Sequence, residues 1–394
     1  MPAGRLTRFI LLPELEFTEM YAEDGRYAVL ASYKKSDFEV CPRCAALSKS
    51  VYDHRVVTVK DAPLREKNVR LRIRKRRFWC KPCKKPFTEP VPGISKGKRH
   101  TARFRRELLW RCENFSDLKK VRRSMDCSSG FMYKALYEEL ALKRREKTYP
   151  WPSRIGIDEH SFQRDKATGR TKFVSFIIDQ KNKKAFEAVD GRSVGELEAS
   201  LKHIPGRENV ELATMDLCEV YRQYIKRNFV NAKIIADKFH VVRLLNPAIN
   251  RYRKEITGDK RKLPVRRLLL RNGSKVSFHV RSALWKWLDQ HPDLRELYYY
   301  KEEIHRLYRN TSYHRARESM IRLIDRMGGS RLPEVQTLRR TLRSWFNEIL
   351  NYFKWRLTNA RVEGYNNVAK LIKKRAYGYR SFENYRLRLL NACA

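Results

Sequence analysis

The sequence predicts an α/β protein in which a mixed sheet with flanking helices carries a large helical insertion. A cysteine-bounded metal-binding unit and a cluster of three short helices precede it. Three observations predict this. Two Cys-x-x-Cys pairs bracket the first unit, and helical periodicity with tight breaks runs from Thr101 to Arg145. From Arg154 the pattern then goes strand, strand, strand, helix, strand, helix, strand before turning almost wholly helical.

Composition restricts what such a chain does. Across 394 residues, 87 Lys and Arg face 44 Asp and Glu, a formal charge of +43, and self-repulsion of that size points to a polyanionic partner, nucleic acid first. A 42% hydrophobic content with 11% aromatics supplies real cores and excludes a disordered basic tail. No run approaches about 18 consecutive apolar residues, so no membrane span is expected. The N-terminal run Phe9 to Leu12 is too short for a signal peptide. The expected location is the cytoplasm, in association with the nucleoid. Of the eight cysteines, four form the two knuckles and Cys112, Cys127, Cys218 and Cys393 are scattered, which favours metal over disulfides.

The elements follow in order. Arg8 to Leu12 and Arg26 to Tyr33 read as short strands, and Cys41 to Pro90 forms the cysteine-bounded unit. Val91 to Lys98 is a Pro, Gly, Ser and Lys linker. Helices are expected over Thr101 to Cys112, Ser116 to Arg123 and Ser128 to Leu142, the arrangement of a helix-turn-helix. Lys147 to Ser153, with Pro150 and Pro152, reads as a second linker. Strands are expected at Arg154 to Asp158, Lys172 to Asp179 and Lys184 to Asp190, with a two-residue Lys-Asn turn between the last two. A helix capped by Ser193, a strand over Asn209 to Asp216, a helix over Glu219 to Phe229 and a strand over Ala232 to Asp237 complete a ribonuclease H-like order. His240 to about Trp355 reads as helical. The domain boundaries implied are 1–95, 96–150, a core of 151–240 with 356–394, and an insertion of 241–355.

Chemistry resides in a few residues. Cys41, Cys44, Cys80 and Cys83, with 35 residues between the pairs, suit a closed tetrahedral zinc site at the base of a hairpin. His54 competes as a ligand, although a solvated histidine is the simpler role. Beside the second knuckle Arg70, Arg72, Arg74, Arg76 and Arg77 stand in a tract without an acid, suited to phosphate contact or to a solvated strand face. Asp158 and Asp216 end apolar strands that neighbour each other in a ribonuclease H-like sheet. Two such acids can share divalent cations, which stand about 3.5 to 4 Å apart in two-metal phosphoryl transfer. A third carboxylate is expected from the helix around Glu363. There Val362, Tyr365, Ala369 and Ile372 form the buried stripe, and Glu363, Asn366, Asn367, Lys370, Lys373 and Lys374 the open face.

With these residues in hand the chain resembles the DDE transposases of bacterial and archaeal insertion sequences, specifically the ISL3 group. The resemblance rests on the two knuckles, Gly156-Ile157-Asp158-Glu159, Met215-Asp216, the segment from Asn231 through Asp237-Lys238-Phe239-His240, and Thr358 to Asn367 followed by Ala376 to Arg380. It implies an N-terminal zinc domain, a helix-turn-helix, and a nuclease core with a helical insertion before its last acid. The triad it implies is Asp158, Asp216 and Glu363, holding Mg²⁺ or Mn²⁺. Asp237 and His240 form an Asp-x-x-His with two roles open: contact with metal or scissile phosphate, or holding the insertion against the core.

The function so implied is metal-dependent cleavage and strand transfer on double-stranded DNA, with the element's inverted repeats and target DNA as partners and a homodimer or larger assembly on DNA. The DNA-binding residues expected are Arg70, Arg72, Arg74, Arg76, Arg77, Lys370, Lys373 and Lys374. The rival class is a DNA-binding regulator built on a transposase scaffold, against which all three acids are present. An RNA-binding factor would explain the charge and leave the spaced acids without a purpose.

Overall fold

The computed structural model describes residues 12–64, 67–115, 117–145, 149–164, 168–258, 264–376 and 378–394. The chain forms two compact units, residues 1–143 and 144–394. No helix among the described residues is long and apolar enough to cross a membrane.

The first unit opens with strands β1 (Leu15–Glu23) and β2 (Tyr27–Lys34), a two-stranded pair β3 (Glu39–Val40) and β4 (Leu47–Ser48), a long hairpin β5 (Val51–Leu64) and β6 (Lys67–Cys80), and β7 (Lys85–Thr88). The main sheet runs β1-β2-β6-β5, with β7 added on β6. Alternation in β6 sends Val69, Leu71 and Ile73 into a core with Leu15, Phe17, Leu30 and Val59, and leaves the arginines between them on the other face. The strand expected at Arg8 to Leu12 lies outside the described residues but for Leu12. The sequence reading missed β1, whose Glu16, Thr18 and Glu19 dilute its apolar signal.

Three helices follow: α1 (Ala102–Asn114), α2 (Leu118–Ser124) and α3 (Ser129–Arg145). Thr101 caps α1 by accepting from Phe104 N, and Asp117 caps α2 by accepting from Lys120 N. Ser116, the expected start of the second helix, lies outside the described residues. The linker before α1 is stitched to β5: Lys60 N donates to Arg99 O at 3.0 Å and Thr101 N to Lys60 O at 2.9 Å. Asp61, buried, accepts from Thr101 Oγ1 at 2.6 Å and pairs with Arg103.

The second unit is built on β8 (Arg154–Arg164), β9 (Thr171–Asp179), β10 (Lys184–Asp190), β11 (Leu212–Met215) and β12 (Lys233–Ala236), in the order β10-β9-β8-β11-β12. The first three are antiparallel, whereas β8, β11 and β12 are mutually parallel. Helices α4 (Val194–Leu201) and α5 (Glu219–Asn228) supply the crossovers. The β9–β10 turn is the four-residue Gln180 to Lys183, longer than the Lys-Asn turn expected. Asp179 closes it by accepting from Lys181 N, Asn182 N and Asn182 Nδ2. The expected linker Lys147 to Ser153 is only partly described, Lys147 and Thr148 lying outside. Its Trp151 is buried against Phe186 and Phe229, so this end of the stretch belongs to the core.

Helices α6 (Lys238–Val242), α7 (Asn246–Thr257), α8 (Pro264–Leu270), α9 (Phe278–Leu288), α10 (Pro292–Leu307), α11 (Tyr313–Arg326), α12 (Pro333–Ser344) and α13 (Phe346–Trp355) come next. Their apolar stripes join one core with Ile157, Met215 and Ala236 on one face of the sheet. On the other face Val174, Phe176 and Ile178 pack against α14 (Ala360–Arg375) and α15 (Phe382–Ala392) through Val362, Ala369, Tyr385 and Leu389. The sheet is thus covered on both sides, which explains why its strands read as unbroken apolar runs.

The approach of α14 depends on Gly156. A Cβ there would lie 2.8 Å from Val362 Cγ2 and from Gln180 Nε2, and 3.0 Å from Asn359 Oδ1. Gly156→Ala is expected to destabilise the second unit by about 1–3 kcal/mol, measured as a lower urea midpoint. An unchanged midpoint would mean the helix does not sit this close.

Candidate active site and metal centres

Pairing of the three parallel strands places Ile157 opposite Met215 and Met215 opposite Ala236. The next residue in each chain is an acid, so Asp158, Asp216 and Asp237 stand side by side at one level. In-register neighbours point to the same face, here the one that carries Gly156 and Thr214 and receives α14.

Electrostatics reflect the crowding. Burial, and then the charge of Asp216, push the Asp158 carboxyl up to about 7. His240, one turn into α6, has Nδ1 2.8 Å from Asp216 Oδ1 and 3.3 Å from Asp237 Oδ2. The bonds to Asp216 and Asp237 raise it to about 10, so its ring is a cation at neutral pH. Asp237 is buried and fully engaged. Its Oδ2 accepts from Phe239 N and His240 N as the cap of α6, and its Oδ1 accepts from Asn359 N at 2.9 Å, at the start of α14. It therefore clamps β12, α6 and α14 together while its ligand atom stays within 4.8 Å of those of Asp216 and His240.

The donors fit a divalent cation. Asp216 Oδ1 is buried against the His240 ring nitrogen, and burial with the charge of Asp216 pushes Asp158 up, a crowding of carboxylates that a hard cation would relieve. Asp158, Asp216 and Asp237 offer carboxylate oxygens, whereas the His240 ring, as a cation, offers no lone pair and acts as a counter-charge.

Helix α14 crosses this face. Asn359 Nδ2 donates to Ile157 O at 3.0 Å and Thr214 Oγ1 donates to Asn359 Oδ1 at 3.0 Å. Glu363 is solvent-exposed in the first turn of α14, and Asn366 follows one turn later. Asn366 was expected on the open face. It is instead buried, because its Nδ2 donates to Asp158 Oδ2 at 2.7 Å and its Oδ1 meets His160 Nδ1 at 2.9 Å. His160 Nε2 lies 2.6 Å from the Tyr385 hydroxyl, and burial holds the ring down to about 4, keeping it neutral. The sequence reading missed His160 and Tyr385. For His160 a signal existed, since it stands two residues beyond Asp158 on one strand and so shares its face. Lys373 Nζ bonds Ser161 O and Phe162 O, tying α14 to β8, whereas Lys370 and Lys374 are exposed.

In the first unit Cys41, Cys44, Cys80 and Cys83 bring their sulfurs within 4.8 Å of one another. Cys41 Sγ is 4.0 Å from Cys83 Sγ and Cys44 Sγ 3.4 Å from Cys80 Sγ. These values bracket the edge of about 3.8 Å in a tetrahedron with Zn–S near 2.3 Å. The residue after each second cysteine, Ala45 and Lys84, has positive φ, which folds both knuckles alike. Backbone N–H groups of Arg43 and Cys44 lower the Cys41 thiol to about 6. Four thiolates leave no position for substrate. His54 is exposed and outside the cluster.

The basic tract divides. Arg76 is bound to buried Glu89 and to the carbonyls of Lys34 and Ser36, Arg77 pairs with Asp53, and Arg70 with Glu23. Arg72 and Arg74 are exposed, Arg72 with a bond to the Tyr21 hydroxyl.

Cys44→Ser is expected to abolish zinc content and to make the first unit unfold separately and earlier, because the metal's binding energy is folding energy in so small a core. Metal analysis together with differential scanning calorimetry checks it. Full folding without zinc would refute a structural site.

Comparison with known proteins identifies the family. Residues 155–389, which include Asp158, Asp216 and Glu363, match the ISL3 model described as a transposase. Residues 37–83, which include the four cysteines, match the model described as the zinc-finger of transposase IS204/IS1001/IS1096/IS1165. The chain is 25% identical over 388 residues to the transposase for insertion sequence element IS1001 of Bordetella parapertussis, covering 95% of this chain and 94% of that one. A 60-residue stretch is 40% identical to part of an ATP-dependent protease of Lactococcus lactis subsp. lactis, covering 15% of this chain and 19% of that one, too short a span to place the whole. With a transposase model spanning more than half its length and a ribbon model over its knuckles, the chain belongs to the ISL3 family of DDE transposases.

Proposed function

We propose that this protein catalyses cleavage and transfer of DNA strands at the ends of its own insertion sequence. In this reading the zinc ribbon and the three helices α1–α3, as a helix-turn-helix, bind the terminal inverted repeats. A ribonuclease H-like core interrupted by the helical stretch from Lys238 to Trp355 does the chemistry. The observation that carries the proposal is the row of acids on three in-register parallel strands, with a carboxylate-bearing helix laid over it.

Asp158 and Asp216, with Glu363 from α14, would hold two Mg²⁺ or Mn²⁺ ions. Such ions activate the attacking water or 3′-hydroxyl and stabilise the departing 3′-oxygen. The protein's own part is to carry the carboxylates on rigid elements and to offset part of their charge. Asp237 locks the start of α14 to β12, and His240 offsets charge at Asp216 and Asp237. Exposed Lys370 and Lys374 continue the Glu363 side of α14 and suit DNA phosphates. Joining two ends calls for at least two copies of the site, hence a homodimer or larger assembly. A regulator on the same scaffold would have no use for three acids with these neighbours.

Asp158→Ala, Asp216→Ala and Glu363→Ala should each abolish both cutting and joining of end-containing DNA while leaving end binding intact. Gel analysis of labelled ends with Mg²⁺ checks this. Activity should also fall as pH drops through about 7, where Asp158 takes up a proton that competes with metal. Substantial cleavage by Glu363→Ala would remove Glu363 from the triad.

End binding should weaken with salt. Replacing Arg72 and Arg74 by Ala is expected to lower the log-log slope by about 1.8, or about 0.9 for each phosphate no longer neutralised. Arg76→Ala acts differently. It leaves Glu89 buried without its partner and should cost about 3–5 kcal/mol of stability. Equal slope changes from Arg76 and from Arg72 with Arg74, without destabilisation, would reverse these roles.

A further inference from the structure

Asp158 is held at both oxygens. Its Oδ1 accepts from Glu159 N at 2.8 Å and its Oδ2 from Asn366 Nδ2 at 2.7 Å. A side-chain amide presents an NH₂ on one side and a carbonyl on the other, and a carboxylate that holds a metal, being ionised, accepts only from the NH₂ side. Something must therefore hold the Asn366 amide the right way round. Its Oδ1 lies 2.9 Å from His160 Nδ1, which must then carry the ring proton. In the neutral ring this leaves Nε2 with a lone pair, and the Tyr385 hydroxyl 2.6 Å away donates to it.

Hydrogen bonds thus run in one direction: Tyr385 O–H to His160 Nε2, His160 Nδ1–H to Asn366 Oδ1, and Asn366 Nδ2–H to Asp158 Oδ2. All three side chains are buried, and they come from α15, β8 and α14. A satisfied polar cluster that merely docks a helix is the simpler account. Docking, however, already has an apolar basis in Val362, Ala369, Leu389 and Phe176, and a buried polar chain adds little stability over such packing. What the chain adds is direction, and it ends on an oxygen of the acid row.

We propose that Tyr385, His160 and Asn366 are positioning residues that fix the orientation of the Asp158 carboxylate for divalent-metal binding. The inference rests on the reading of Asp158 as a metal ligand. Supporting groups around a metal ligand typically alter affinity by about 10–100-fold when removed.

The test is Mn²⁺ binding to the full-length protein, followed by the electron paramagnetic resonance signal of free Mn²⁺, beside thermal melts. Asn366→Leu keeps the side chain's size and removes both polar ends, and Tyr385→Phe removes one hydroxyl. Each should weaken Mn²⁺ binding, Asn366→Leu by about 10–100-fold and Tyr385→Phe less. Val362→Ala loosens the same helix without touching the relay. It should lower the melting temperature and leave Mn²⁺ affinity within about twofold of wild type, since it removes only packing. If Asn366→Leu fails to fold, Tyr385→Phe decides. Wild-type affinity in folded relay variants, or an equal loss in Val362→Ala, overturns the proposal. Asp158→Ala separates the two levels. Normal Mn²⁺ binding there refutes Asp158 as a ligand, whereas its loss beside normal relay variants refutes the relay alone.

Discussion

Repulsion between carboxylates is the constraint around which the second unit is organised. Parallel pairing of β8, β11 and β12 in register leaves no freedom about where Asp158, Asp216 and Asp237 go, and three like charges at one level oppose folding. The surroundings offset them one by one. Asp237 is neutralised by backbone N–H groups at a helix start and by Asn359 N, Asp216 by the His240 imidazolium, and Asp158 by Glu159 N and the Asn366 amide. Asp158 is still pushed up to about 7, so the offset is incomplete. A residual strain of this kind is expected where a site is shaped for a cation, since stability and function make opposite demands on it.

The same constraint accounts for the close fit of α14. A helix can bring polar groups to the acid row only by lying directly on β8, and Gly156 allows that approach. Asn359, Val362, Asn366 and Lys373 then meet β8 in turn from one end of the helix to the other. Buried ion pairs secure the rest of the layer, as where Glu187 on β10 is bound by Arg144 and by Arg386 of α15. Beneath the sheet, the helical stretch after β12 shares its core with the strands.

In the first unit the scale of the core decides the design. A few strands enclose Leu15, Leu71 and Ile73, and the knuckles extend this with a small cluster around Phe78, Cys80 and Phe87. Cross-linking by metal compensates for so little buried surface. The basic strand β6 serves two purposes at once. Arginines paired with Glu23, Asp53 and Glu89 hold the sheet together, and those between them remain open to solvent.

Much of this was legible in the sequence where the signal is local. Knuckle spacing, the periodicity of α1 and α3, the helix cap at Ser193 and the acids closing apolar strands all depend on residues a few positions apart, and all are found in the structure. The element order from Arg154 to Asp237 and the four-sulfur cluster therefore follow from local signals, whereas β1 does not. Which polar residues face inward is a matter of long-range packing. Asn366 reads as part of an open helix face, and its burial follows from His160 and Asp158, more than two hundred residues away in the chain. Arg76 and Arg72 are alike in sequence, and only the position of Glu89 separates them. Trp151 reads as linker until Phe186 and Phe229 close over it. The physical reason is common to all three: the periodicity of a segment depends on its own backbone, whereas the partner of a polar or aromatic side chain is set by which distant segments the fold brings to it.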